Sequence, residues 1–178
     1  VQDAGAAYPL TIDPLIYLEQ KVIASDGAAD DYFGDSVALN AAGDTAIVGT
    51  PWDDIGGNAH QGSAYVFARS GGVWSQQAKL TASDGAAYDL FGSSVQLKAA
   101  GDTAIVGALW DAIGANAKQG SAYVFTRSGG VWSQQAQLTA SDGAAYDYFG
   151  RAVALNAAGD TAIVGASTHA VGANSEQG

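Results

Sequence analysis

Apolar residues fall in short runs along this chain, never in a long helical stripe. FGDSVALN (33–40) places Val37 and Leu39 at alternate positions and runs into the turn AAGD. TAIVG (45–49) is a brief apolar run rich in β-branched side chains, the signature of a buried strand. Together the two predict a hairpin. A glycine-rich loop, PWDDIGGNAHQG, leads into SAYVFARSGGVWSQQAKLTA, where two further strands flank a turn at Ser70-Gly71-Gly72. Nothing reads as a long helix, so the pattern predicts an all-β protein made of four-stranded antiparallel units.

The unit repeats. Phe33, Phe91 and Phe149 are spaced by 58 residues, as are Gly49, Gly107 and Gly165, and Asp44, Asp102 and Asp160. Residues 33–90 and 91–148 agree at 47 of 58 positions, the likeness left by recent duplication or by consensus design. Four strands at a period of roughly 40 to 60 residues is the pattern of a β-propeller blade, whereas solenoid repeats are usually shorter. Phe33, Tyr65, Phe67 and Trp74 recur at blade spacing as Phe91, Tyr123, Phe125 and Trp132, and are expected to form the core within and between blades.

FG at 33–34, GTP at 49–51 and GSAYVF at 62–67 resemble the FG-GAP repeat of the integrin alpha-chain β-propeller and of many bacterial surface and secreted proteins. The likeness extends over nearly the whole chain from about residue 17. It implies blades whose first strand follows FG and lines the axis, with WSQQAKL outermost, and it implies a secreted or cell-surface location. The Gly-Ala-Pro element departs from the family pattern, reading GTP, GAL and GAS in the three copies.

On this alignment residues 1–16 form an N-terminal extension and 17–32 an outer strand of a split blade with its interblade loop. Two blades follow at 33–90 and 91–148, and 149–178 is a partial blade holding the first two strands. Three blades do not close a ring, since propellers typically need about four to eight. The expectation is therefore an incomplete ring, closed either by more chain or by association of copies, and an open edge is a template for such pairing.

Composition narrows the partners. Acidic residues outnumber basic ones 18 to 7 in 178 residues, and the net charge of −11 disfavours nucleic acid or an anionic membrane and favours cations. No apolar run approaches the roughly 18 residues of a membrane span. There is no Cys, hence no disulfide, thiol chemistry or cysteine metal site. The chain has no Met, and its opening VQDAGAA suits a segment just beyond a small-residue cleavage site.

Many integrin-type repeats hold calcium in the loop between strands one and two, through several Asp or Asn oxygens. Here that loop is NAAGDT, KAAGDT or NAAGDT, with one carboxylate each, so the usual calcium loop is not present and Asp44, Asp102 and Asp160 read as turn residues. Acids gather instead in the interblade loops (SDGAADDYFG and its copies) and in the loops joining strands two and three (WDDIGGN, WDAIGAN), which share one face of a blade. These loops hold 11 of the 18 acids. One reading is that the Asp residues cap turns and keep the rim soluble; the other is a surface for a divalent cation or ligand. For the second, Asp30 with Asp31 and Asp53 with Asp54 are the candidate Ca2+ contacts, because adjacent carboxylates can share one ion. Trp52, Trp110 and Asp111 lie in the same loops as a candidate ligand or partner surface, the Trp rings either stacking on a sugar or closing the gap to the next blade.

Catalysis finds little support. His60 and His169 occupy different repeat positions outside any nucleophile or metal motif, and such loop His residues are expected to be simply solvated. An active site needs unlike groups converging on one point, and near-identical blades offer the same residue twice. The sequence thus predicts a non-enzymatic extracellular structural or surface-assembly subunit that self-associates, with a calcium- or glycan-binding adhesion module as the alternative and a propeller hydrolase behind both.

Overall fold

The computed structural model describes residues 20–172, 174 and 176–178. Residues 1–16, and the start of the expected outer strand at 17–19, lie outside them. Among the described residues ten strands form three antiparallel sheets, and there is no helix. The first sheet holds β1 (Ser36–Leu39), β2 (Thr45–Thr50), β3 (Ser63–Ser70) and β4 (Val73–Leu80) in that spatial order. The second repeats it with β5 (Phe91–Leu97), β6 (Thr103–Ala108), β7 (Ser121–Ser128) and β8 (Val131–Leu138). The third contains β9 (Phe149–Leu155) and β10 (Ala162–Ala166). This is an all-β fold of propeller-type blades in an open ring, as the sequence predicted.

Local chemistry explains the turns. Ser70 pairs with Val73, leaving Gly71 and Gly72 as a two-residue loop with φ of 57° and 85°. Positive φ at both positions is the primed turn whose twist matches the strands it joins, which only glycine adopts freely. Between β1 and β2 the Asn40 side chain takes over: its Oδ1 accepts the Asp44 and Thr45 amides at 3.0 Å each, and its Nδ2 donates to Asp44 Oδ1 at 2.7 Å. Asp102 takes its partner from Lys98 (3.0 Å) and Asp160 from Asn156 (2.6 Å), which confirms the turn role of this Asp position.

The core lies between sheets. Ile47, Ala64, Val66 and Leu80 on the rear of the first sheet pack against Phe91, Val95, Leu97, Val106, Tyr123 and Phe125 on the front of the second, all buried. Each large side chain so removed from water contributes about 1.5–3 kcal/mol. Phe91 sits edge-on to Phe125 and tilted to Tyr123, and Phe33 meets Tyr65 and Phe67 in the same manner one blade earlier. The expected aromatic core is therefore present.

Backbone bonds lock the sheets in register. Phe91 N donates to Gln61 O at 2.9 Å, Ala41 N to Ala99 O at 3.1 Å, and Ser36 Oγ to the Gly92 carbonyl at 2.7 Å. The second junction repeats two of them, from Phe149 N to Gln119 O and from Ser94 Oγ to Gly150 O. Because Phe91 bridges to Gly62 of the preceding blade, β5 begins at the Phe itself, whereas β1 begins only at Ser36.

One expectation needs correction. Residues 20–24, read as part of an outer strand, join no sheet. They are held by side chains instead: the Gln20 amide brackets the Trp74 backbone at 3.0 and 3.3 Å, and Ser25 N donates to Gln76 Oε1 at 2.9 Å. A strand needs a neighbour to fill its hydrogen bonds, and the described residues supply no third strand beside this segment.

Candidate functional site

The two loop classes that carry the acids share one face and bind each other. Tyr88, Leu90 and Phe91 amides of the interblade loop donate to the carbonyls of Ala59, His60 and Gln61 in the preceding blade. Close apposition forces unusual backbone. Asp30, Tyr88 and Tyr146, then Tyr32, Leu90 and Tyr148, then His60, Lys118 and Glu176 all have φ between 54° and 71°. Among the described residues that makes nine left-handed residues other than glycine, three at each of three repeat positions, all in these loops.

Adjacent carboxylates diverge here. Asp31 is buried and accepts the Ala28 amide at 2.5 Å, while Asp30 points to solvent. Asp53 is buried and accepts Ser63 Oγ at 2.5 Å and Tyr65 OH at 3.1 Å, with Lys79 Nζ at 2.8 Å; Asp54 turns outward and accepts the His60 amide at 2.8 Å. Within each pair one carboxylate is thus buried and its neighbour exposed, Asp30 on left-handed backbone with φ of 67°. Asp53 converges instead with Asp26, whose carboxylate meets the same Tyr65 hydroxyl (2.9 Å) and the same Lys79 ammonium (2.7 Å). Asp26, Asp30, Asp31, Asp53, Asp54, Trp52, His60 and Lys79 surround a cavity of about 340 Å³. Among the described residues no three His, Asp or Glu side chains are arranged to hold a metal ion.

The cluster occurs twice with a different central partner, and a third site carries His where the first two carry the buried Asp. In the first, burial opposes the charge on Lys79, but its bonds to Asp26 and Asp53 hold its pKa above the usual lysine range. Lys79 in turn holds Asp26 below the usual carboxylate range, and burial pushes Tyr65 up to about 12. In the second, Gln137 replaces Lys79: Asp111 accepts Ser121 Oγ (2.5 Å), Tyr123 OH (2.9 Å) and Gln137 Nε2 (3.0 Å), and Asp84 accepts the same Tyr123 hydroxyl (3.0 Å). No cation stands there, and burial, reinforced by the charges of Asp111 and Asp84, pushes Asp89 up to about 6 even though the Ala86 amide bonds it. In the third, His169 occupies the position of Asp53 and Asp111; its Nδ1 lies 2.7 Å from Asp147 Oδ2, a hydrogen bond that raises its pKa above 6.5.

Trp52 and Trp110, half-buried, pack edge to face at 6.3 Å and so join the first two blades on this face. Tyr32 and His60 flank Trp52 at 5.7 and 4.9 Å, Tyr88 meets His60 at 5.3 Å, and Lys118 Nζ stands 3.6 Å from the centre of the Trp110 ring. Gap closure, one of the two readings of these Trp rings, is thus observed. His60 is not simply solvated, since it is wedged between Trp52 and Tyr88, and His169 is tied to Asp147. Sequence reasoning missed Lys79 and His169. The available signal was substitution at otherwise repeated positions, 79 against 137 and 169 against 53 and 111.

Among protein-family models, the one described as FG-GAP repeat matches residues 17–67, 74–125 and 132–178. The second matched unit starts in β4 and ends in β7, so the unit that recurs straddles the junction between blades. No curated protein matches the chain.

Proposed function

The chain belongs to the FG-GAP repeat family, and from that premise we propose that it is an extracellular, non-enzymatic structural module of a surface assembly that associates with further copies of itself. The observation that supports this reading is the junction between blades, which is built twice from the same residues and the same bonds, Ser36 to Gly92 and Ser94 to Gly150 at 2.7 Å each. A surface that fits its own repeat is suited to addition of like units. The buried Asp53 and Asp111 bind Ser, Tyr, Lys and Gln of their own blade, and Asp31, Asp89 and Asp147 accept the amides of Ala28, Ala86 and Ala144, which fits a role in holding loops. The mass of the native chain by light scattering, with electron microscopy of the same sample, tests the proposal. Closed particles or fibres of several copies are expected, and a monomer at every concentration would overturn it.

A second reading, an adhesion module for a glycan or a cation, draws on the aromatic group of Tyr32, Trp52, His60 and Tyr88, of which Trp52 and His60 line the 340 Å³ cavity. Thermal unfolding with calcium, with chelator and with added oligosaccharides tests it: a rise in midpoint with any ligand supports adhesion, and none counts against it.

A further inference from the structure

Each blade has a front, carrying alternate residues of its inner strands, and a rear; the rears of the first and second blades cover the fronts of the second and third. Val95 and Leu97 on the front of the second sheet are 8% and 3% exposed beneath the rear of the first. The same positions on the first sheet, Val37 and Leu39, are 67% and 57% exposed. They border an open apolar groove of about 430 Å³ together with Val22, Val48, Phe67 and Trp74. At the other end Ile163 is 73% exposed, while Ile47 and Ile105 at the equivalent rear positions are fully buried, the latter in the sheet against which β9 packs.

We infer that the groove on the first blade is the docking site for a second copy of this chain, which enters with the rear of its β9–β10 hairpin and places Ile163 over Val37 and Leu39. The inference rests on the self-association reading above and names the surfaces that carry it.

Continuity with the internal junction argues for this occupant. The outer half of the groove is already covered as an internal junction is: Val22 and Ala24 stand at the repeat positions of Leu80 and Ala82, and Ser25 N bonds Gln76 Oε1 as Ser83 N bonds Gln134 Oε1, both at 2.9 Å. Among the described residues, the inner half, over β1, lacks what β1 and β2 supply to the second blade. An inner hairpin fits that place, and β9–β10 is such a hairpin, with Ile163 on its rear exposed.

Charge agrees. Ser36 and Ser94 each meet the glycine of the next blade's Phe-Gly pair, so in the same registration Ala152 of one copy meets Gly34 of the next. That sets Arg151 beside Asp35, both exposed, where the internal repeat has the neutral Ser93. Opposite charges at the two ends and a neutral residue between them favour head-to-tail order over like-to-like pairing. A contact between unlike faces propagates, into a ring or a fibre according to the rotation per copy.

Blocking one face at a time tests this. Val37→Arg closes the groove and Ile163→Glu closes the hairpin, and since both side chains are exposed each variant should unfold within a few degrees of the parent chain. By light scattering the parent chain is expected to assemble and each variant alone to be monomeric. An equimolar mixture should give dimers and nothing larger, because only one pair of open faces remains. If the parent assembles and either variant still does so alone, or if the mixture stays monomeric, the assigned faces are wrong while self-association stands. A parent chain that is monomeric throughout overturns both.

Discussion

Gly107 of the second blade lies against the carbonyl of Gly150 in the third, with no room for a side-chain carbon between them. Gly49 meets Gly92 in the same way one blade earlier. The Phe-Gly pair opening each blade and the glycine one residue before the end of the second strand of the previous one are thus two halves of one contact, which explains why both recur at the repeat period.

Gly107→Ala is therefore expected to force the blades apart and cost about 3 kcal/mol or more, in the range of severe overpacking. Gly165 is the same position with no following blade among the described residues, and a methyl there meets only Ala152, its Cβ at 3.7 Å and its carbonyl oxygen at 3.8 Å, both ordinary contacts. Gly165→Ala should change monomer stability by less than about 0.5 kcal/mol. Urea unfolding of both variants in dilute solution makes the comparison.

Exchanging the central partners of the first two acidic clusters should move stability in opposite directions. Lys79→Gln leaves Asp26 and the buried Asp53 without their cation and should cost about 1–3 kcal/mol at neutral pH. Asp26 has a depressed pKa, so its share of that loss is present above the unfolded value of 3.8 and disappears as pH falls through the lower folded one. Gln137→Lys brings a cation to Asp84 and Asp111 and should stabilise. Urea midpoints at pH 7 and pH 3 decide both.

Asp89 has the opposite sign. Its pKa is raised to about 6, so the folded state binds the proton more tightly than the unfolded chain. The stability this group contributes is fully present below pH 3.8 and is lost as pH rises through about 6. Asp89→Asn keeps an oxygen for the Ala86 amide and removes the charge. It should be more stable than the parent by on the order of 1–3 kcal/mol at pH 7 and equal to it near pH 4. A pH series of unfolding midpoints that shows no convergence toward acid would refute this.

Thr50 Oγ1 is buried with no hydrogen-bond partner, and the next two repeats place Ala108 and Ala166 there. Removing an unsatisfied hydroxyl relieves a desolvation cost that offsets the lost methyl contacts. Thr50→Ala is expected to leave the melting temperature unchanged or higher, as calorimetry would report.

Much of this architecture is legible in the residues because its causes are local. Alternating Val37 and Leu39, the paired glycines at 71 and 72 and the 58-residue spacing of Phe-Gly declare strands, turns and blades through φ preferences and period alone. The acidic face is legible too, since strand connectivity puts both Asp-rich loop classes at one end. The direction of each carboxylate is not legible: Asp53 turns inward to Ser63 and Tyr65 and Asp54 outward to His60, a choice made by partners 6 to 12 residues away and by Lys79 on another strand.

Sequence by itself determined the strands, their order within a blade and the repeat. Tertiary structure alone decided what each blade surface meets. Val37 and Val95 are the same residue at the same position in one strand pattern, yet one is 67% exposed and the other 8%. Ile47 and Ile163 differ in the same sense at the rear. Strand formation follows from a residue and its near neighbours, but burial follows from the surface brought against it, and that surface belongs to the next blade.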